Sequence, residues 1–331
     1  MKFLYFTDTH IRGSAPKNRL DAFTETLKEK IEEVIEEANN KDVDFILHGG
    51  DVFDRPDLSP NTVGQFAKQF RKAKAPIYTV AGNHDTYGHN PKTIDRTMLG
   101  LLDAFGLIHV IEPDEPVLVE GDNVKVQISA QPYHYDLDQR DIRLDYYPEN
   151  QTGADKLIHL VHGMLVEKKL PEGIPYTLVD QMWNTTADVL LTGHFHGGFG
   201  LKEQEGKWIA NPGAIARVNN HWSELIRMPK YIIGEITKEG TTLTEHQIRC
   251  AKKGEDVLDR TFLEKASQNE EKLHEFVQQV REHADFQTLN IGDIINEIAS
   301  NRQVDEPVRG EALRRITIVQ ERWEGGDNET D

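Results

Sequence analysis

The 331-residue chain carries 37% hydrophobic and 28% charged residues, enough for a sizeable core in one large domain or in a domain with an accessory unit. Its formal net charge of −18 excludes a general basic surface for polyanions, so a phosphate-bearing partner has to be held by a local positive centre. The one cysteine, Cys250, excludes an internal disulfide and a cysteine-based zinc cluster, and no apolar run reaches the roughly eighteen residues of a membrane span.

The chain opens on "MKFLYFTDTH", which lacks a signal-peptide core and reads as a strand; a cytoplasmic protein is the expectation. From Pro16 to Asn39, the residues Leu20, Phe23, Leu27, Ile31, Val34 and Ile35 recur at helical spacing. "DFILH" is a second strand, Pro60 to Lys72 a second helix, "PIYTVA" a third strand and Ile94 to Phe105 a third helix. Strand alternating with helix predicts an α/β domain with helices covering the sheet. "PVLVEGDNVKVQISA" then reads as a hairpin turning at Gly121-Asp122-Asn123, and residues 134–155 as a long polar loop. "KLIHLVH" and "DVLLTGH" are buried-strand runs, "GKWIANPGAIARV" is a strand followed by a turn, and "PKYIIGEITKEGTTLTEHQIRC" is a second hairpin. Two hairpins interleaved with α/β units predict two sheets packed face to face. Beyond residue 255 the chain reads as helical and highly charged, with Leu273, Phe276, Val277 and Val280 in an amphipathic pattern, and residues 324–331 as a disordered acidic tail. The expected organisation is a catalytic domain over 1–255, a helical cap or partner-binding region over 256–323, and that tail.

Five strand candidates end in ligand-type side chains. "FLYF" leads to Asp8 and His10, "FILH" to Asp51 and then Asp54-Arg55, "IYTVA" to Asn83, His84 and Asp85, "LIHLV" to His162, and "VLLT" to His194 and His196. Carboxyl ends of strands line the ligand crevice of α/β sheets, so these residues can converge although nearly two hundred positions separate them. Asp, His and Asn without Cys suit manganese, iron or zinc. If Asp51 bridges, the seven candidates Asp8, His10, Asp51, Asn83, His162, His194 and His196 give two ions four ligands each, a centre that clamps a phosphoryl group and activates water. The surplus positive charge of two such ions answers the acidic composition. Arg217, after "NPGAIA", is a candidate phosphate contact. His48, His89, His109, His134, His159, His221, His246, His274 and His283 read as structural.

The series D-x-H, G-D-x-x-D-R, G-N-H-D, H-G, G-H-x-H, from Asp8 to His196, resembles the calcineurin-like metallophosphoesterase superfamily. The resemblance implies a two-sheet α/β sandwich flanked by helices, with a smaller C-terminal cap. It also implies a dinuclear centre, most simply manganese, with Asp8, His10, Asp51 and His196 on one ion and Asp51, Asn83, His162 and His194 on the other. His84 is then the residue that stabilises the transition state or protonates the leaving oxygen, with Asp85 orienting its ring. Within the superfamily the chain is most similar to SbcD-type DNA repair exonuclease subunits. That branch implies DNA as substrate and a coiled-coil ATPase of the SbcC type as partner, and allows a homodimer. Asp54 stands where archaeal and eukaryotic relatives commonly carry a second histidine, which leaves the number of catalytic histidines open. Arg55 resembles the phosphate-contacting arginine of protein phosphatases, a different branch, and a stand-alone phosphoesterase is the alternative reading.

Overall fold

The computed structural model describes residues 1–261 together with Gly310, Glu311, Arg314 and Arg315. One unit runs Met1–Asp259 and a second Arg260–Asp331; the amphipathic helices and acidic tail expected beyond 261 lie outside the described residues.

In chain order the elements are β1 (Lys2–Phe6), α1 (Phe23–Asn40), β2 (Phe45–His48), α2 (Pro60–Phe70), β3 (Ile77–Thr79), α3 (Met98–Ala104), β4 (His109–Val110), β5 (Val117–Glu120) and β6 (Lys125–Gln131). There follow α4 (Arg143–Tyr146), β7 (Lys156–Val161), β8 (Leu165–Val166), β9 (Thr177–Leu178), β10 (Val189–Thr192), β11 (Gly200–Gln204), β12 (Lys207–Asn211), α5 (Trp222–Ile226), β13 (Lys230–Ile236), β14 (Thr241–Gln247) and α6 (Gly254–Val257). One six-stranded sheet has the order β14-β13-β1-β2-β3-β4 and the other β11-β12-β10-β7-β6-β5. In each, four consecutive parallel strands carry antiparallel partners at the rim.

The period-two alternation of β1 explains why the sheets stack. Phe3 and Tyr5 face the second sheet, meeting Ile128, Ile158, Leu160 and Leu191 in the core between them. Leu4 and Phe6 point the other way, into the layer formed by α1 and α2 through Phe23, Leu27, Ile31 and Phe66. Beyond the second sheet, Val161, Leu190 and Ile209 pack under Leu137, Tyr146 and Met182. Helices thus flank a two-sheet sandwich, as the interleaved hairpins predict.

Three local expectations change. Helix α1 starts at Phe23, because Asp21 is drawn into a bidentate pair with Arg19 and holds the preceding turn, which leaves Leu20 on the surface at 63% exposure. The helix expected over Ile94–Phe105 is broken at Thr97, whose extended backbone and hydroxyl cap Gly100 N–H and start α3 afresh. Residues 134–155 contain α4, fixed where Asp145 accepts from both Arg140 and His134. Among the described residues no helix is long and apolar enough to cross a membrane.

Candidate metal centre

The carboxyl ends of β1, β2, β7 and β10, with the loop after β3, bring the candidate ligands together. Asp8, His10, Asp51 and His196 form one group of potential ligand atoms mutually within 4.8 Å; Asp51, His162 and His194 form a second. His10 Nε2 lies 2.9 Å from His196 Nε2 and 3.5 Å from Asp51 Oδ2, and His196 Nε2 lies 3.6 Å from Asp8 Oδ1. On the other side, His162 Nε2 is 3.3 Å from Asp51 Oδ2 and 3.2 Å from Asn83 Oδ1. Asp51 Oδ2 thus faces both groups, while its Oδ1 accepts the backbone N–H of His84 at 2.9 Å.

The donors fit a pair of divalent ions. Ring nitrogens and carboxylate oxygens converge, and their partners behind are already fixed. His162 Nδ1 donates to Gly49 O at 2.7 Å, which turns Nε2 toward Asp51; Asp8 Oδ2 accepts from the Thr7 hydroxyl at 2.6 Å. His10 Nδ1 is buried with no hydrogen-bond partner, an orphan that a ring anchored through Nε2 alone would leave. Burial pulls the His10 and His194 imidazoles down to about 3, so both are neutral and able to ligate. Burial works against ionising Asp51, but the charge and hydrogen bond of His162 outweigh it and hold this carboxyl well below the usual range. Burial also works against a charged His162, and Asp51 outweighs it, raising the imidazole to about 9. Loading an ion therefore has to displace a proton from this pair.

Backbone geometry marks the same residues. Asp8, His10, Asp51 and His194 have φ of 53°, 41°, 52° and 68°, left-handed values that non-glycine residues seldom adopt. Glycine is required where the loops touch: a Cβ on Gly82 would lie 2.1 Å from Asp51 Oδ1 and 2.4 Å from its backbone nitrogen.

His84 stands at the exposed rim, its ring 4.9 Å from that of His10 and its Nδ1 2.9 Å from the Asp54 carbonyl oxygen. His10, Asp54 and His84 form a third group of potential ligand atoms. Asp54 is joined by a residue that the sequence reading overlooked: Arg12 Nη1 lies 3.3 Å from Asp54 Oδ2. A cation two positions after Asp-x-His was the available signal.

Two expected roles change. Asp85 does not orient the His84 ring; its carboxylate is buried and accepts from the N–H groups of Val52, Phe53 and Gly82, tying the loops after β2 and β3 together, while the Asp54 carbonyl orients His84. Arg217 does not face a substrate: it is 1% exposed, and its guanidinium donates to the carbonyls of Lys252 and Arg227 at 2.8 and 2.7 Å. Arg55 lies on the surface and pairs with Asp57 at 3.5 Å.

The calcineurin-like phosphoesterase family pattern matches residues 1–198. The chain is 26% identical over 238 residues to the DNA double-strand break repair protein Mre11 of Archaeoglobus fulgidus, covering 66% of this chain and 50% of that protein. It is also 26% identical over 182 residues to the uncharacterized metallophosphoesterase YkoQ of Bacillus subtilis, covering 54% of this chain and 59% of that one. A dimetal phosphatase from Danio rerio aligns in structure at a TM-score of 0.48 and 9% identity, over 78% of this chain and 98% of that chain. The chain spans about half the length of the curated relatives it matches.

Proposed function

The chain belongs to the calcineurin-like phosphoesterase family, and from that premise we propose that it is a two-metal-dependent DNA nuclease subunit that hydrolyses phosphodiester bonds in DNA repair. The observation that carries the hydrolytic reading is Asp51, whose Oδ2 faces both ligand groups. Asp8, His10, Asp51 and His196 would hold one ion and Asp51, Asn83, His162 and His194 the other, with manganese as the proposed metal. Such a pair would supply Lewis-acid activation of water and would neutralise charge on the phosphoryl oxygens.

The remaining work belongs to the chain. His84 Nδ1 is committed to the Asp54 carbonyl, which fixes the ring and leaves Nε2 at the open rim to give a proton to the leaving oxygen. Arg12 and Asp54 hold that carbonyl in place from beside it. Asp85 sets the spacing of the Asp51 and Asn83 loops.

DNA as substrate is supported by the similarity to an archaeal double-strand break repair protein. A coiled-coil ATPase partner and a cytoplasmic setting belong to the same proposal. The similarity to a metallophosphoesterase of Bacillus subtilis and the net charge of −18 favour a second reading, a stand-alone enzyme acting on a small phosphoester. Purified protein with manganese should degrade end-labelled linear double-stranded DNA, and His84→Ala should abolish this. Hydrolysis of bis(4-nitrophenyl) phosphate alone, even after a candidate ATPase is added, would favour the second reading. No metal-dependent hydrolysis of either substrate would sink both.

A further inference from the structure

The loops after β3 and β6 carry rings to the edge of the metal centre that no ligand role uses. The Tyr133 ring lies 5.3 Å from that of His194. His89 meets Tyr133 at 5.5 Å with an interplanar angle of 61°, and Tyr135 at 5.8 Å with an angle of 90°. These separations suit edge-to-face aromatic packing. Exposure grows outward along the series: Tyr133 is half-buried against Leu137, Tyr146 and their neighbours, whereas Tyr135 is 68% exposed. The Tyr133 N–H donates to Ala81 O at 3.2 Å, which ties the ring to the loop that carries Asn83 and His84. His89 is held in place at a cost: it has φ of 55° directly after Gly88 at 57°, and its Nδ1 is buried without a hydrogen-bond partner.

We propose that Tyr133, His89 and Tyr135 form a stacking platform for an unpaired nucleobase next to the scissile phosphodiester. This deepens the nuclease reading and rests on it. Every base has a π face, so stacking holds single-stranded nucleic acid with little regard to sequence. That suits a chain of net charge −18, in which the rings supply grip that lysines and arginines supply elsewhere. A base inside an intact duplex is already stacked and paired, so the platform selects frayed ends, overhangs and single strands over uninterrupted duplex.

Tyr135→Ala is the test, because an exposed side chain can be removed without opening the core. Manganese-dependent cleavage is followed on oligonucleotides carrying 2-aminopurine, or an abasic residue, beside the cleaved bond. The variant should raise KM about tenfold on the 2-aminopurine substrate with kcat nearly unchanged, and should lose the quenching of 2-aminopurine on binding. Tyr135→Trp should restore both, and the abasic substrate should not distinguish the variant from wild type. An equal loss on both substrates, or none on either, overturns the platform while leaving the nuclease intact. Failure of the wild type to cut DNA even with a candidate ATPase added, with bis(4-nitrophenyl) phosphate still hydrolysed, overturns the nuclease reading itself and the platform with it.

Discussion

On the outer face of the second sheet, the His159 ring lies buried between the Ser129 hydroxyl at 2.9 Å and the Asp145 carbonyl at 2.9 Å. Burial pulls its pKa down to about 4. In the unfolded chain it titrates at about 6.5, so below that pH the unfolded state takes up a proton that the native state refuses. This contribution to stability is complete above pH 6.5 and is lost as pH falls toward 4. His159→Gln, in chelated protein, should narrow the stability difference between pH 7 and pH 4.5 by about 2 kcal/mol relative to wild type, read from urea midpoints. An unchanged difference would mean that His159 is protonated in the native protein. The histidine shows how far single residues are legible. A buried strand histidine follows from apolar neighbours on both sides, and the strand-end ligand types follow from position. Direction does not. Asp85 is adjacent to His84 in sequence, yet its carboxylate turns to three backbone N–H groups of neighbouring loops. Arg217 follows a glycine-bearing turn, yet points into the protein.

At the scale of elements, the segment between β12 and β13 acts as a brace behind the centre. The N–H groups of Ala214, Ile215 and Ala216 donate to the carbonyls of His196, Thr7 and Asp8, so this turn supports two ligand-bearing loops at once. Arg227 locks the turn by donating to the Ala214 and Ala216 carbonyls, and is itself held by Glu224, whose side chain is 2% exposed. Arg227→Met should cost about 3 kcal/mol, because it strands a buried carboxylate. Arg227→Met combined with Glu224→Met should regain most of that; equal destabilisation in single and double variants would mean that the carbonyl contacts, not the ion pair, carry the effect. The strands were legible because both sheets bury their parallel members on two faces, which writes continuous apolar runs such as "FLYF", "LIHLV" and "VLLT" into the chain. The break at Thr97 was not, since capping by one hydroxyl leaves the surrounding helical pattern intact. Strand order was not legible either, because every parallel strand offers the same kind of apolar run to its neighbours.

For the whole molecule, acidity and the proposed substrate have to be reconciled. If DNA is gripped at the metal centre and by stacking, few phosphates are neutralised by side chains. The logarithm of DNA affinity should then fall with the logarithm of salt concentration at a slope near −2, corresponding to about two phosphate contacts. A slope steeper than about −5 would point to an extended basic tract and against this account. The placement of β1 has a consequence for the making of the protein. This strand, bearing Asp8 and His10 at its end, sits in the middle of its sheet and pairs with β13, residues Lys230–Ile236. At about 5–20 residues per second, a ribosome takes roughly 10 to 50 seconds to deliver that partner. Throughout that interval one edge of the strand lies open to the wrong neighbour. Two candidate ligands thus sit at the end of a strand whose second neighbour is made long after it, and a cell producing this protein has to shelter that edge until β13 emerges.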